Sequence, residues 1–235
     1  MRWFKRREPP EPEAAFLDLL AEHGLAAYER QAAFEQRVGD LDWQLDQDRG
    51  AVMLGDDLVL PAQLLGSEAL NARTWLWAWA NESIDAELAI KSSEARSIGE
   101  ARGLTWMTEP QIDTQRTGDG YLLALATSGL LEADAYYPCP YPGGVAYALV
   151  DLPQDLRFPP SPATAERVVH VITNALQDGP RLVSRASIER YLTTIGAEAE
   201  SSGDLILIGE NATFRFDELG RLTGIEATLE AEPTS

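Results

Sequence analysis

The stretch Thr74 to Asn81, Thr-Trp-Leu-Trp-Ala-Trp-Ala-Asn, places three of the six tryptophans at alternate positions. A period of two puts Trp75, Trp77 and Trp79 on one face of an extended strand and Leu76, Ala78 and Ala80 on the other. Each buried aromatic removes roughly 150–250 Å² from water, so this row must face a core or a partner. The row therefore predicts a central strand. A stacking platform for sugars or bases is the functional alternative to a core role, and burial among neighbouring strands and a helix is the expected outcome.

The flanking pattern predicts what that strand joins. Glu13 to about Val38 reads as helical, with Gly24 a candidate break into two helices. Leu41, Trp43 and Leu45 alternate with Asp40, Asp42, Gln44, Asp46 and Asp48, the pattern of a half-buried strand with an acidic outer face. Ala51–Leu54 and Leu58–Leu65 follow as strands, and Pro61 predicts an edge position or a bulge in the second. Short links between successive strands make an antiparallel meander. Asn81 and Ser83 are candidate caps of a long helix that stops near Gly103. Residues 121–131 are apolar all round, which predicts a buried helix. The run Tyr136-Tyr-Pro-Cys-Pro-Tyr-Pro-Gly-Gly144 carries three prolines and is expected to be irregular.

After a proline-rich linker, Ser161 and Pro162 are expected to open one helix and Ser184 a second, which closes at Gly196. Strands at Leu205–Ile208, Thr213–Phe216 and Leu222–Leu229 complete the pattern. The predicted class is α+β, with an antiparallel β-meander flanked by helices and a smaller C-terminal helix–helix–three-strand unit. The expected division is a disordered basic and proline tail over 1–12, a core domain over 13–152, and a linker with the C-terminal unit over 153–235.

Two motifs carry a resemblance. Leu65-Gly66-Ser67 stands shortly before Thr74–Asn81, and Tyr136-Tyr137, Cys139-Pro140-Tyr141 and Gly143-Gly144 form an aromatic, proline and glycine loop. Over roughly residues 30 to 150 the chain resembles an uncharacterised bacterial family, a domain of unknown function, whose members show both. The resemblance implies a bacterial origin and brings no assigned activity, cofactor or catalytic residue.

Charge narrows the partners. The formal net charge is −19; the first ten residues carry four basic side chains against Glu8, so the rest of the chain holds −22. An acidic body repels phosphate backbones, which argues against nucleic acid and suits a basic protein partner. One cysteine excludes an internal disulfide and fits a reducing cytoplasm. No apolar run is long enough to cross a membrane, and the basic N-terminus lacks the apolar segment of a signal peptide. One short basic cluster anchors weakly, so stable membrane association is not expected.

Catalytic and metal signatures are absent from the sequence, and no cofactor is implied. Asp113-x-Gln115-x-Thr117 begins like a calcium loop, but Ala124 stands where a bidentate glutamate belongs. A nucleophilic arrangement would need Cys139 with His170; a buried, inert cysteine and a helix-surface histidine are the plainer readings. His23 lies near a helix end with no metal-spaced partner. The aspartates of residues 40–48 read as a solvated face. The ligand-binding candidates are Asn81, Asp119, Tyr137, Cys139, Tyr141, Gly143 and Gly144, because tyrosines give rigid amphipathic contact and paired glycines admit a ligand to the backbone. The expected function is a non-catalytic, inhibitor- or adaptor-like protein with an acidic surface for a basic partner. The alternative is a small-molecule binder or unrecognised hydrolase using the 136–144 loop, and charge serving solubility alone is the third reading.

Overall fold

Trp75 and Trp77 are both fully buried, and the strand that carries them belongs to a seven-stranded antiparallel sheet. The computed structural model describes residues 12–39, 41–157 and 162–228. The expected N-terminal tail up to residue 11, Asp40 and Ser161 lie outside the described residues. The chain divides after Leu17, after Gly39 and after Pro153 into two units, each α+β in content.

The chain enters on α1 (Ala14–Val38), most of which counts with the second unit. In the first unit, β1 (Trp43–Asp46), β2 (Ala51–Leu54), β3 (Leu58–Ala69), β4 (Thr74–Trp77) and β5 (Gln111–Asp113) form the meander. Between β4 and β5 lie α2 (Ile90–Arg102) and the single turn α3 (Thr105–Thr108). Then follow α4 (Gly120–Leu130), buried along almost its whole length, and the hairpin β6 (Ala135–Tyr141) with β7 (Gly144–Val150). β7 pairs with β3 along Ala62–Ala69, so β3 carries β2, β4 and β7 and is the hub of the sheet.

The second unit holds α5 (Ala165–Asp178), α6 (Arg185–Ile195) and the strands β8 (Glu200–Ser202), β9 (Leu205–Ile208), β10 (Ala212–Phe216) and β11 (Leu222–Ala227), ordered β11-β10-β9-β8. Val168, Val171, Ile172 and Ala175 give α5 its buried stripe. Arg167 holds Glu29 through two hydrogen bonds of 2.6 and 2.8 Å, and Tyr28 donates to Asp178 at 2.5 Å. His170 is exposed on α5, 3.0 Å from Asn174. Ser184 and Ser187 close a reciprocal cap on α6.

Several expectations need correction, each for a local reason. β4 ends at Trp77, and Ala78–Ala80 is a 3-10 turn closed by Asn81 N–H on Ala78 O, so Trp79 leaves the row. It is half-buried with the Arg96 guanidinium 4.4 Å above its ring. The helix expected from Asn81 begins later, with a 3-10 turn at Ala86–Ala89 leading into α2, because Asn81 bonds locally to Ser83 instead of capping. α1 runs unbroken through Gly24, which seats closely against Leu20 and Leu182. Leu41 is 43% exposed rather than turned inward. Thr164, not Ser161, caps α5. A fourth C-terminal strand, β8, carries no apolar alternation because all three of its residues are exposed.

The prolines are the most instructive case. Tyr136 to Tyr141 was expected to be irregular, yet it lies within strand β6. The Leu70 N–H donates to Gly143 O, which turns the odd-numbered residues at that end of β7 toward β3 and the even-numbered ones toward β6. Tyr137, Cys139 and Tyr141 therefore bond to β7, and Pro138 and Pro140 turn their missing N–H to the free edge, where no ladder bond is lost. Pro61 is tolerated differently: β3 is central, but its partner β7 ends opposite Ala62, and the expected bulge falls later, between Leu64 and Gly66. The carbonyl of the extra residue Leu65 accepts from Ser92 Oγ of α2 at 2.8 Å, so the bulge leaves no buried acceptor unpaired.

Trp77 also donates its Nε1–H to Trp106 O at 2.9 Å. Trp77→Ala should cost about 3–5 kcal/mol in urea unfolding, the range for removing a large buried aromatic. A loss below about 1 kcal/mol would contradict its place in the core.

Candidate functional site

Residues directly opposite each other in an antiparallel ladder share a face. Cys139, Ala146, Ser67 and Leu76 form one such row across β6, β7, β3 and β4. The neighbouring rows, Tyr147–Gly66–Trp77 and Val145–Glu68–Trp75–Ile112, point the other way, into the core under α4. On the first face the side chains are small, and the space above them is a cleft of about 600 Å³. That size lies within the roughly 300–1,000 Å³ of small-ligand sites.

The sheet curls to wall this space. Along the path β1-β2-β3-β7-β6 the two outer strands are β1 and β6, yet Trp43 of β1 and Tyr137 of β6 touch, with ring centroids 6.0 Å apart. The register puts both rings on the cleft face, through Trp43–Leu54–Leu58 on one side and Leu64–Ala148–Tyr137 on the other. The segment Ala78 to Ile84 adds Asn81, Ser83 and Ile84 to the rim. None of the sixteen described residues that line it is charged, although the chain carries −19.

Three of the residues singled out from sequence meet here: Asn81, Cys139 and Tyr141. The Asn81 Oδ1 accepts from Ser83 N–H at 3.1 Å and from Ser83 Oγ at 2.7 Å, which leaves the carboxamide nitrogen without a partner among the described residues. Cys139 is 3% exposed, and burial pushes its thiol up to about 12. A thiol so held is protonated at neutral pH and is a poor nucleophile. Tyr141 is 45% exposed at the rim.

The other four do not line the cleft. Tyr137 backs Trp43, and burial raises its phenol. Asp119 caps α4, accepting from Leu122 N–H at 2.8 Å. Gly143, at φ +92°, makes the Pro142-Gly143 turn of the β6–β7 hairpin. Gly144 offers no approach to the backbone: a Cβ there would lie 2.4 Å from the Tyr141 hydroxyl and from Glu68 O, so the tyrosine fills that space itself. Trp43, Ser67, Leu76 and Ile84 were not singled out as binding residues. The alternation of Leu41, Trp43 and Leu45 gave β1 its face, but the curl that brings that face over Ser67 has no local signal.

On the core face, Glu68 is 7% exposed. Its carboxylate lies on the bare Cα of Gly120 and accepts the Gly120 N–H at the start of α4. Burial outweighs that bond, and with nearby Asp119 it raises the Glu68 carboxyl above the usual carboxylate range despite Thr114 and Arg73. The unfolded chain therefore releases this proton first, and the cost to folding grows as pH rises through the ordinary carboxylate range to the folded value. Glu68→Gln should raise the thermal midpoint relative to wild type more at pH 7 than at pH 3.5, as followed by circular dichroism. A difference independent of pH would contradict the assignment.

An α+β protein with an uncharged cleft on one face of a curled antiparallel sheet is the class the geometry defines. Residues 17–153, more than half of the chain, match the family described as Family of unknown function (DUF6882), and the chain belongs to that family. Comparison with curated proteins and with solved structures gives no match. No helix among the described residues is long and apolar enough to cross a membrane, and they hold no cluster of three metal-ligating side chains.

Proposed function

We propose that the protein is a non-catalytic binding protein whose first unit receives an uncharged ligand in the cleft between β1 and β6. The observation that carries this reading is the contrast between lining and chain: the sixteen described lining residues are all uncharged in a protein of net charge −19. Trp43 and Tyr141 offer aromatic surface, while Ser67 and the Asn81 carboxamide offer hydrogen bonds, the mixture that orients a neutral molecule. The protonated Cys139 thiol supports binding over nucleophilic chemistry.

The test is a thermal-shift screen of uncharged compounds against wild type and Ser67→Phe, which fills the floor. A ligand at a hundredfold excess over its Kd adds about 2.7 kcal/mol of stability, or several degrees. Hits that shift wild type and not the filled variant are expected; hits that shift both equally would contradict the site.

A second reading rests on a different groove of the same unit, about 550 Å³, where Asp48, Asp85, Glu87 and Asp151 stand with Arg49 the one base among the described lining residues. With −22 outside the first ten residues, it supports a basic partner protein, as an inhibitor or adaptor would have, in a cytoplasmic setting. A partner captured at low salt should be basic and be released by Asp85→Lys with Glu87→Lys. Retention by that variant would remove this reading.

A further inference from the structure

We propose that the occupant of the cleft is an extended, uncharged peptide segment that adds as a strand to the free edge of β1. The inference rests on the reading that the cleft is the binding site, and it comes from where the two bordering strands point their backbone groups.

In the β1–β2 hairpin the Gly55 N–H donates to Asp42 O at 2.7 Å. Antiparallel pairing alternates, so Gln44 and Asp46 bond to β2 while Trp43 and Leu45 turn both N–H and C=O outward. No partner among the described residues takes those four groups. On the facing edge, Pro138 and Pro140 of β6 also point outward, and they offer carbonyls without N–H groups. Each of the two strands gives three consecutive residues to the lining, Trp43-Gln44-Leu45 and Cys139-Pro140-Tyr141. Alternate residues would line a space over one face of a strand, whereas consecutive residues show that the edge itself borders it. The cleft is thus a gap between two unpaired edges of one curled sheet.

A strand backbone matches this arrangement. Its alternate residues exchange both hydrogen bonds with Trp43 and Leu45, and those between them donate to the proline carbonyls. The four residues of β1 set a span of about four added residues at ~3.4 Å each. Alternate side chains of the guest point to the floor, where Cys139, Ala146 and Ser67 leave room beside Leu76 and Trp43. The uncharged lining gives a charged guest side chain no counter-ion, and desolvating one there is costly. The prolines close β6 to ordinary strand addition, which leaves β1 as the edge that reads the guest.

The experiment selects a displayed random twelve-residue peptide library on the full chain. Synthetic copies of enriched peptides are then titrated against wild type, Leu45→Pro and Ser67→Phe. Leu45→Pro removes an outward N–H and no ladder bond, so β1 keeps its pairing; circular dichroism checks the fold. Copies N-methylated at alternate amides test the same bonds without altering the protein. The expected result is uncharged peptides whose affinity falls at least tenfold with Leu45→Pro, with Ser67→Phe and with N-methylation. Binding that survives Leu45→Pro and N-methylation but falls with Ser67→Phe overturns strand addition and leaves the cleft as the site. Binding that survives all three overturns the cleft as well. Failure to enrich any peptide overturns strand addition, and maltohexaose is then titrated as a neutral probe. Binding of that sugar blocked by Ser67→Phe keeps the cleft, and its absence leaves the thermal-shift screen to decide.

Discussion

The Trp75 indole packs directly against Gly66. A Cβ on that glycine would stand 2.5 Å from Cε2 and Cζ2 of the ring, so only a bare Cα admits it. Against that seat Trp75 meets Tyr147 at 5.3 Å and the edge of Trp77 at 5.5 Å, and Tyr147 passes the packing on to Tyr136. Fixing this aromatic set fixes which way β3, β4 and β7 face. Since strand side chains alternate, Ser67 and Leu76, one residue further along, must point into the cleft. The Gly-Ser and Thr-Trp-Leu-Trp motifs therefore serve two faces at once. Gly66, Trp75 and Trp77 build the core, and Ser67 and Leu76 build the floor of the site.

The two faces also divide the electrostatics. Glu68 is a buried carboxylate of the core face, held against the start of α4 at a desolvation cost. The cleft face carries no charge among its described lining residues, while carboxylates such as Asp85, Glu87 and Asp151 stand at the surface elsewhere. Surface charge favours solubility and basic partners; an uncharged recess selects ligands by shape and hydrogen bonding. The bulge at Leu65, satisfied by Ser92, lets one long strand present Leu64 to the cleft and Glu68 to the core.

Much of the fold was legible because its signals are local. The two-residue period of Trp75 and Trp77, the all-apolar run of α4, the reciprocal cap at Ser184 and the turn glycines all act within a few residues. The site was legible in part. The tyrosine and proline run drew attention to Cys139 and Tyr141, and the Asx geometry at Asn81 kept that residue at the rim. What stayed hidden depends on register. Pro138 and Pro140 look like strand breakers until the pairing of β6 with β7 puts both at a free edge. Gly144 looks like an open approach until Tyr141 is seen to fill it. Trp43 reads as a core residue until the curl of the sheet brings it over Ser67. Residues far apart in sequence decide each of these.

The dependence of the fold on Trp75 seated against Gly66 can be measured directly with a double-mutant cycle in urea unfolding, using Gly66→Ala, Trp75→Leu and the pair. Contacting residues couple by about 0.5–3 kcal/mol. The account predicts that Gly66→Ala alone is strongly destabilising and that Trp75→Leu removes part of that penalty, because the clash with the ring is relieved while the one with Leu76 O, at 2.7 Å, remains. Two single effects that simply add, or a neutral Gly66→Ala, would contradict it.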